Sequence, residues 1–165
     1  YNPDFGVLNV LLGKLGLIDK PISFLGFDLA LASVIVARIW RAMPFAFMNY
    51  YSALTTISKD LYEAAAIDGA TPAQAFWHIT LPHLRTTTSS TLLVLTVWTF
   101  MVFDIIFGMT GGGPVNATKT LPMRIYQEMF GMKNLGTASA WSLIAIGVLV
   151  VVTILYWNMD KEDAR

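Results

Sequence analysis

Along the chain, long apolar stretches alternate with shorter polar ones, and the apolar stretches have the length of membrane-crossing helices rather than of strands. A spanning helix needs ~20 mainly apolar residues, because lipid cannot satisfy free backbone groups. Three segments qualify. The clearest is Ala138 to Trp157, "ASAWSLIAIGVLVVVTILYW", an uncharged run of 20 residues with Trp141 near its start and Tyr156 and Trp157 at its end, as interfacial aromatics should lie. Its opening repeats small residues four apart, Gly136 with Ala140 and Ala138 with Ser142, which lets another helix approach closely. A second is Leu92 to Met109, "LLVLTVWTFMVFDIIFGM", with one charge, Asp104. The first in chain order runs from Leu29 to about Leu54 and is interrupted by Arg38, Arg41 and Pro44. Pro44 removes the bond to the Trp40 carbonyl and should kink the helix there. The pattern predicts an all-α, polytopic membrane protein with three transmembrane helices.

The polar stretches between the spans are equally patterned. Residues 1–28 read as loop plus a short amphipathic piece, "VLNVLLGKLGL". Residues 58–82 read as a helix-turn-helix. Ser58 can cap a first short helix, Asp60 and Glu63 sit towards its positive end, and Gly69 supplies the freedom to end it and turn. "TPAQ" then forms a capping box, with Thr71 as N-cap, Pro72 at the first helical position and Gln74 reaching back. Pro82 fits the first turn of the helix that leads into the next span. "TGGGPVNAT" (110–118) lacks the Gly-Lys-Ser/Thr ending of a phosphate loop and reads as a turn. Leu121, Ile125 and Met129 repeat every four residues after it, which predicts a surface helix with Arg124 and Glu128 on its polar side. The expected organisation is therefore 1–28 leading segment, 29–57 span, 58–82 structured loop, 83–109 span, 110–135 loop with an amphipathic helix, 136–158 span and 159–165 solvated tail.

Composition sharpens this picture. Of 165 residues, 55% are apolar and 13% charged, against ~25% charged in globular domains, so the chain lacks the polar surface to face water all round. The formal net charge is zero, which argues against a nucleic-acid partner. With no cysteine, disulfides, thiolate catalysis and cysteine-ligated metal are excluded. Tyr1 is not a start methionine and no basic segment precedes an apolar one, so no signal peptide is visible and the chain is expected to be the C-terminal part of something longer.

The candidate chemistry is sparse. His78 and His83 are five apart with Pro82 between them and do not share a helix face as zinc ligands would. Asp60, Glu63 and Asp68 fit capping and docking better than a carboxylate site. "NAT" at 116 matches a glycosylation sequon only weakly. For Trp98, Phe103 and Trp141, stacking on the ring of a bound solute competes with packing or interface anchoring. Intramembrane charge is costly, at least ~2.5 kcal/mol per isolated residue at mid-membrane. Counting at ~1.5 Å per residue places Arg38 and Asp104 both roughly 30 Å from the loop end of their spans. Asp104 is thus a candidate partner for Arg38 or, one turn away, Arg41; each could instead line a wet cavity.

Residues 63–82, "EAAAIDGATPAQAFWHITLP", resemble the cytoplasmic loop of permease subunits of binding-protein-dependent ATP-binding-cassette importers, whose pattern is EAA, three residues, G, nine residues, I, one residue, LP. Glu63, Ala64, Ala65, Gly69, Ile79, Leu81 and Pro82 match every fixed position. "LYEAAAIDGA", "ITLP" and the later "FD-II---TGGGP---T" resemble the carbohydrate branch, nearer the larger permease of the maltose and glycerol-3-phosphate importers than its smaller partner. The resemblance implies a multi-pass protein of a prokaryotic cytoplasmic (inner) membrane, with the 58–82 loop and the tail inside and the segments 1–28 and 110–135 on the periplasmic side. Such permeases have about six spans, so it also implies that half the permease lies elsewhere.

The resemblance further implies a subunit that is not an enzyme and holds no cofactor, with ATP and Mg bound by partner ABC ATPase subunits. A second permease subunit, a periplasmic or lipid-anchored solute-binding protein and membrane lipid complete the expected partners. The coupling residues would be Glu63, Ala64, Ala65, Asp68, Gly69, Ile79, Leu81 and Pro82. The candidate substrate path comprises Trp98, Phe103, Asp104 and Trp141. A permease for a non-sugar solute keeps the loop but differs in its flanks; a secondary transporter or channel fragment would use Arg38 and Asp104 as its path and need no ATPase.

Overall fold

The computed structural model describes residues 1–3 and 6–163, and among them it is helical with no strand. The helices are α1 (Val7–Lys14), α2 (Ala30–Thr55), α3 (Lys59–Ile67), α4 (Pro72–Ala75), α5 (Leu81–His83), α6 (Arg85–Phe100), α7 (Asp104–Met109), α8 (Leu121–Tyr126) and α9 (Leu135–Asp163), with π-helical turns at Phe76–Thr80 and Gln127–Gly131. The chain divides into two compact units, one made of Tyr1–Arg41 and Thr99–Gly147, the other of Ala42–Trp98 and the chain from Val148 onward.

Two helices, α2 and the Leu135–Asn158 part of α9, are long and apolar enough to cross a membrane. The α2 helix starts within one residue of the expected span and continues through Pro44. Much of its large apolar surface faces outward, including Ile35, Val36, Ile39, Trp40 and Phe47, as a helix meeting lipid or another subunit requires. The α9 helix runs on to Asp163, so the tail expected at 159–165 continues the helix, and its last residues, 164 and 165, lie outside the described residues. Of the small residues at its start, Ala138 is buried and Ser142 half-buried, whereas Gly136 and Ala140 face out; Ala145 continues the buried side.

The third expected span is corrected. Residues 83–109 do not form one helix: α6 ends at Phe100 and a new helix begins at Asp104. Sixteen residues of α6 reach only ~24 Å, short of a ~30 Å hydrocarbon core. The lower part of α6, "RTTTSST", is polar, so its composition falls short of a spanning helix as well. At the break the Val102 carbonyl leaves the helical ladder and accepts from the Thr120 hydroxyl at 3.2 Å, while the Asp104 carboxylate begins α7, where the helix dipole favours it.

Two amphipathic readings are also corrected. In α1 the buried residue is polar: Asn9 is enclosed, its amide donating to the Ile22 carbonyl (2.9 Å) and the Pro3 carbonyl (3.2 Å) and accepting from Ile22 N–H (3.0 Å), while Val7, Leu8, Val10 and Leu11 point outward. A side-chain amide that satisfies three backbone groups outweighs the apolar burial that the periodicity suggests. In the outer segment, α8 gives way after Tyr126 to a π turn, and Glu128, expected on a polar face, is buried and paired with Arg124. The Arg124 guanidinium supplies the compensation that a carboxylate needs in order to be enclosed.

Candidate functional site

The patterned loop forms a tightly tied helix pair. Ser58 caps α3 by accepting from Asp60 N–H at 3.3 Å. The far end closes as a Schellman motif: Gly69 N–H bonds the Ala66 carbonyl at 3.1 Å and Ala70 N–H the Ala65 carbonyl at 2.9 Å. That closure places Gly69 at φ +79°, a conformation that glycine adopts at no steric cost. The next residue, Thr71, builds the capping box, its hydroxyl accepting from Gln74 N–H (3.3 Å) and its own N–H donating to Gln74 Oε1 (2.8 Å).

Beyond α4 the helix widens. Leu81 N–H reaches back five residues to the Phe76 carbonyl. Pro82 follows immediately, and its ring would crowd the carbonyl four residues earlier, so a π turn here relieves that clash without ending the helix. The half-buried Tyr62 hydroxyl, on α3, meets the buried Thr80 hydroxyl at 2.7 Å and joins the two helices. Below them Thr56 Oγ1 meets His83 Nε2 at 3.3 Å. His78 Nδ1 lies 2.9 Å from the Gln74 carbonyl, within its own helix. No group of three or more His, Cys, Asp or Glu fit to hold a metal occurs among the described residues.

Of the motif residues, Glu63, Ala64 and Asp68 are exposed, and Ala65 and Ile79 are half-buried. Ala65, Asp68, Gly69 and Ile79 line one notch of about 310 Å³ with Gln74 and His78. Leu81 and Pro82 belong to a different, more apolar groove with Arg85, Leu92 and Tyr156. The pair also exposes Ile67, Phe76 and Trp77, the last two in edge-to-face contact with ring centroids 5.7 Å apart.

The intramembrane candidates separate. Arg41 Nη1 makes an ion pair with Asp104 Oδ2, both side chains more than half exposed within this chain. Arg38, the alternative partner, is half-buried, and its Nε is enclosed with no hydrogen-bond partner among the described residues. Phe103 packs on Phe107 (5.1 Å) and Tyr126 (4.9 Å), and Tyr126 continues to Phe130 (5.0 Å). Trp98 packs on Phe45 at 4.7 Å in the other unit, and Trp141 is half-buried on α9. The Phe103–Tyr126 cluster joins α7 to α8, and only the recurrence of aromatics at 103, 107, 126 and 130 hinted at it.

Sequence reading also missed a polar ladder between α2 and α6. Asn49 Nδ2 donates to Thr91 Oγ1 (3.4 Å), and Tyr50 OH donates to Thr88 Oγ1 (3.2 Å). Its only sequence signal is a Thr/Ser-rich start to a helix that hydropathy otherwise marks as a span.

Comparison with known proteins bears on the whole chain. The family described as "Binding-protein-dependent transport system inner membrane component" matches residues 3–162. The chain is 39% identical over 163 residues to the sn-glycerol-3-phosphate transport system permease protein UgpA of Brucella abortus, covering 98% of this chain and 55% of that protein. It is 34% identical over 162 residues to the trehalose/maltose transport system permease protein MalF of Thermococcus litoralis, covering 98% and 54%. It is 36% identical over 164 residues to the diacetylchitobiose uptake system permease protein DasB of Streptomyces coelicolor, covering 96% and 50%.

The chain thus spans about half the length of the curated relatives it matches. A crystal structure of a bacterial ABC transporter involved in the import of the acidic polysaccharide alginate superimposes with a TM-score of 0.85 at 25% identity, over 98% of this chain and 56% of that one. These relatives are ABC transporter permease subunits, which are not themselves enzymes. With a family match across nearly all of its length, the chain belongs to the inner-membrane components of binding-protein-dependent transport systems.

Proposed function

We propose that the chain is part of the permease of an ATP-driven sugar importer in a prokaryotic cytoplasmic membrane, and that its 58–82 loop couples ATPase closure to alternating access. The supporting observation is the helix pair itself, capped at Ser58 and Thr71, closed at Gly69 and joined by Tyr62 and Thr80; so tied, it would transmit a displacement. A floppy polar loop would absorb one. Exposed Glu63, Ile67, Phe76 and Trp77 suit docking into a cleft of a partner ATPase, which would hold the ATP and Mg. A second permease subunit and a solute-binding protein outside the membrane complete the assembly. Movement of the docked pair would then swing the spans as rigid bodies between outward- and inward-facing arrangements.

The 83–109 segment serves as the third crossing in this reading, as α6, an irregular link and α7 in series. Non-helical backbone at membrane depth is tolerated where it is enclosed by protein or lines a wet cavity. The link therefore fits a segment beside the path, with the Arg41–Asp104 pair at its edge. Trp98, Phe103 and Trp141 remain the path candidates from the sequence. Relatives named for trehalose/maltose and diacetylchitobiose support a sugar as cargo.

The test is reconstitution of the full permease pair with its ATPase and binding protein. Sugar uptake should require ATP, and Glu63→Lys should release the ATPase from the complex on copurification while the permease stays in the membrane. Retention of both uptake and ATPase by the Glu63→Lys complex would refute coupling through this loop.

A further inference from the structure

Between α5, the start of α6 and Tyr156 of α9 lies a groove of about 540 Å³, within the second compact unit. Its volume is that of a small-ligand site. Most of its wall is apolar: Leu81, Pro82, Leu92 and the ring of Tyr156. The polar groups of the lining divide into two sets. Thr88 and Tyr156 are committed inside the protein. Thr88 Oγ1 donates to the Leu84 carbonyl (2.8 Å) and accepts from Tyr50 OH (3.2 Å), and the Tyr156 hydroxyl meets Thr96 Oγ1 (3.4 Å). The other set is Arg85 and Ser89, four residues apart and hence on one face of α6. Arg85 is exposed, and among the described residues that line the groove it is the one charge. The groove thus offers a cation and a hydroxyl on one strip of helix and hydrocarbon over the rest of its wall.

The sequence sets its depth. Tyr156 and Trp157 close the uncharged run of α9, where aromatics mark the headgroup boundary of a bilayer. Before them in the same helix Val151, Ile154 and Leu155 are exposed, so the surface leading from the groove into the span is apolar and open. An apolar helix seated on the groove would bury the guanidinium at a cost unless it brought a carboxylate with it. A phospholipid meets both demands at once, with its phosphate at the cation and an acyl chain along the apolar wall.

We propose that the groove binds an anionic phospholipid of the loop-side leaflet, its headgroup phosphate on Arg85 and Ser89 and an acyl chain against Leu81, Pro82 and Leu92. The assignment rests on the importer reading above only for placing the loop at a membrane surface; it is independent of the cargo. Leu81 and Pro82 belong to the loop motif, so the bound lipid ties the loop to α6 and α9.

The full importer, extracted in mild detergent, is titrated with phosphatidylglycerol or zwitterionic phosphatidylcholine, and bound lipid is counted by native mass spectrometry. One basic residue at an anionic lipid is worth about fivefold in binding. The phosphatidylglycerol concentration that half-fills one site per copy of this chain should therefore rise about fivefold in R85Q and much less in R85K. S89F fills the groove with the cation in place and should raise it similarly, whereas K59Q, which removes an exposed cation of the same loop, should not. If S89F does not assemble, R85Q against K59Q decides alone. A shift in R85Q without one in an assembled S89F would put the phosphate outside the groove and overturn the proposal. An equal shift in K59Q would mean diffuse charge, and binding of phosphatidylcholine as tight as that of phosphatidylglycerol would mean an unselective apolar surface; either overturns it. So would displacement of the lipid by millimolar inorganic phosphate, or the absence of any bound phosphatidylglycerol because another helix fills the groove. ATP-dependent sugar uptake by the same complexes in vesicles tests the importer reading separately: its absence in the wild type sinks that reading, and its presence beside unselective lipid binding sinks only the groove.

Discussion

Single residues carry the two most decisive features, a turn and an ion pair. A Cβ at Gly69 would meet nothing within 4 Å, so space does not forbid a side chain there; the backbone does. At φ +79° an L-residue costs roughly 1–2 kcal/mol, most for a β-branched one and least for asparagine. Gly69→Val should therefore open the angle between α3 and α4 and lower sugar uptake several-fold with ATP hydrolysis retained, while Gly69→Asn should transport nearly normally. Equal uptake by the two variants would show that the turn does not set coupling. The ion pair allows a sharper comparison, because two arginines compete on paper and one pairs in the structure. Asp104→Arg should impair transport or assembly, Arg41→Asp in the same chain should restore part of it, and Arg38→Asp should not. Rescue by Arg38→Asp in place of Arg41→Asp, read as uptake at matched membrane levels, would reassign the partner. One helical turn separates the alternatives, a difference that residue counting along a helix containing Pro44 cannot resolve.

At the scale of elements, the Tyr62–Thr80 contact makes two short helices one body. Tyr62→Phe deletes a hydroxyl and leaves the buried Thr80 hydroxyl without it, a loss of about 1–3 kcal/mol. The complex should lose coupling before it loses its fold: uptake per ATP should fall, while detergent-solubilised permease keeps its elution profile. An unchanged ratio would mean that the caps alone stiffen the pair. The local sequence made much of this pair readable, since Ser58, Gly69, Thr71-Pro72 and Gln74 each act within a few residues of themselves. The long helices α2 and α9 were readable for a related reason, because hydropathy summed over a span is insensitive to any one partner. What stayed hidden depends on distant residues. Asn9 is inside because residues near Pro3 and Ile22 present backbone groups to it, and Glu128 is inside because Arg124 covers it. The break after Phe100 depends on Thr120, eighteen positions beyond the carbonyl it satisfies. Averaged hydropathy runs straight through such a break, since Met101, Val102 and Phe103 are apolar whether or not they are helical.

For the molecule as a whole, the question is which ends of these helices face the cytoplasm. Charge gives little guidance: Lys59 and Arg85 flank the loop, but Arg124 and Lys133 lie in the opposite connection, and the positive-inside rule needs an asymmetry between the two. The stronger argument is physical. A loop that docks to an ATPase must share its compartment, and α2 and the 83–109 segment both begin or end at that loop. If both cross, 110–135 and the start of the chain lie on the other side, and α9 returns its C-terminal end to the loop's side. Ala73 and Ala117 are exposed and lie outside the caps and the left-handed positions, so a cysteine at either should leave its turn intact. In intact cells, A117C should react with an impermeant thiol reagent and A73C should not, and in inside-out vesicles the order should reverse. Labelling of both from the same side would mean that 83–109 re-enters rather than crosses, as a broken helix in a membrane can. A73C labelled from outside would remove the loop from any ATPase, and the coupling mechanism with it.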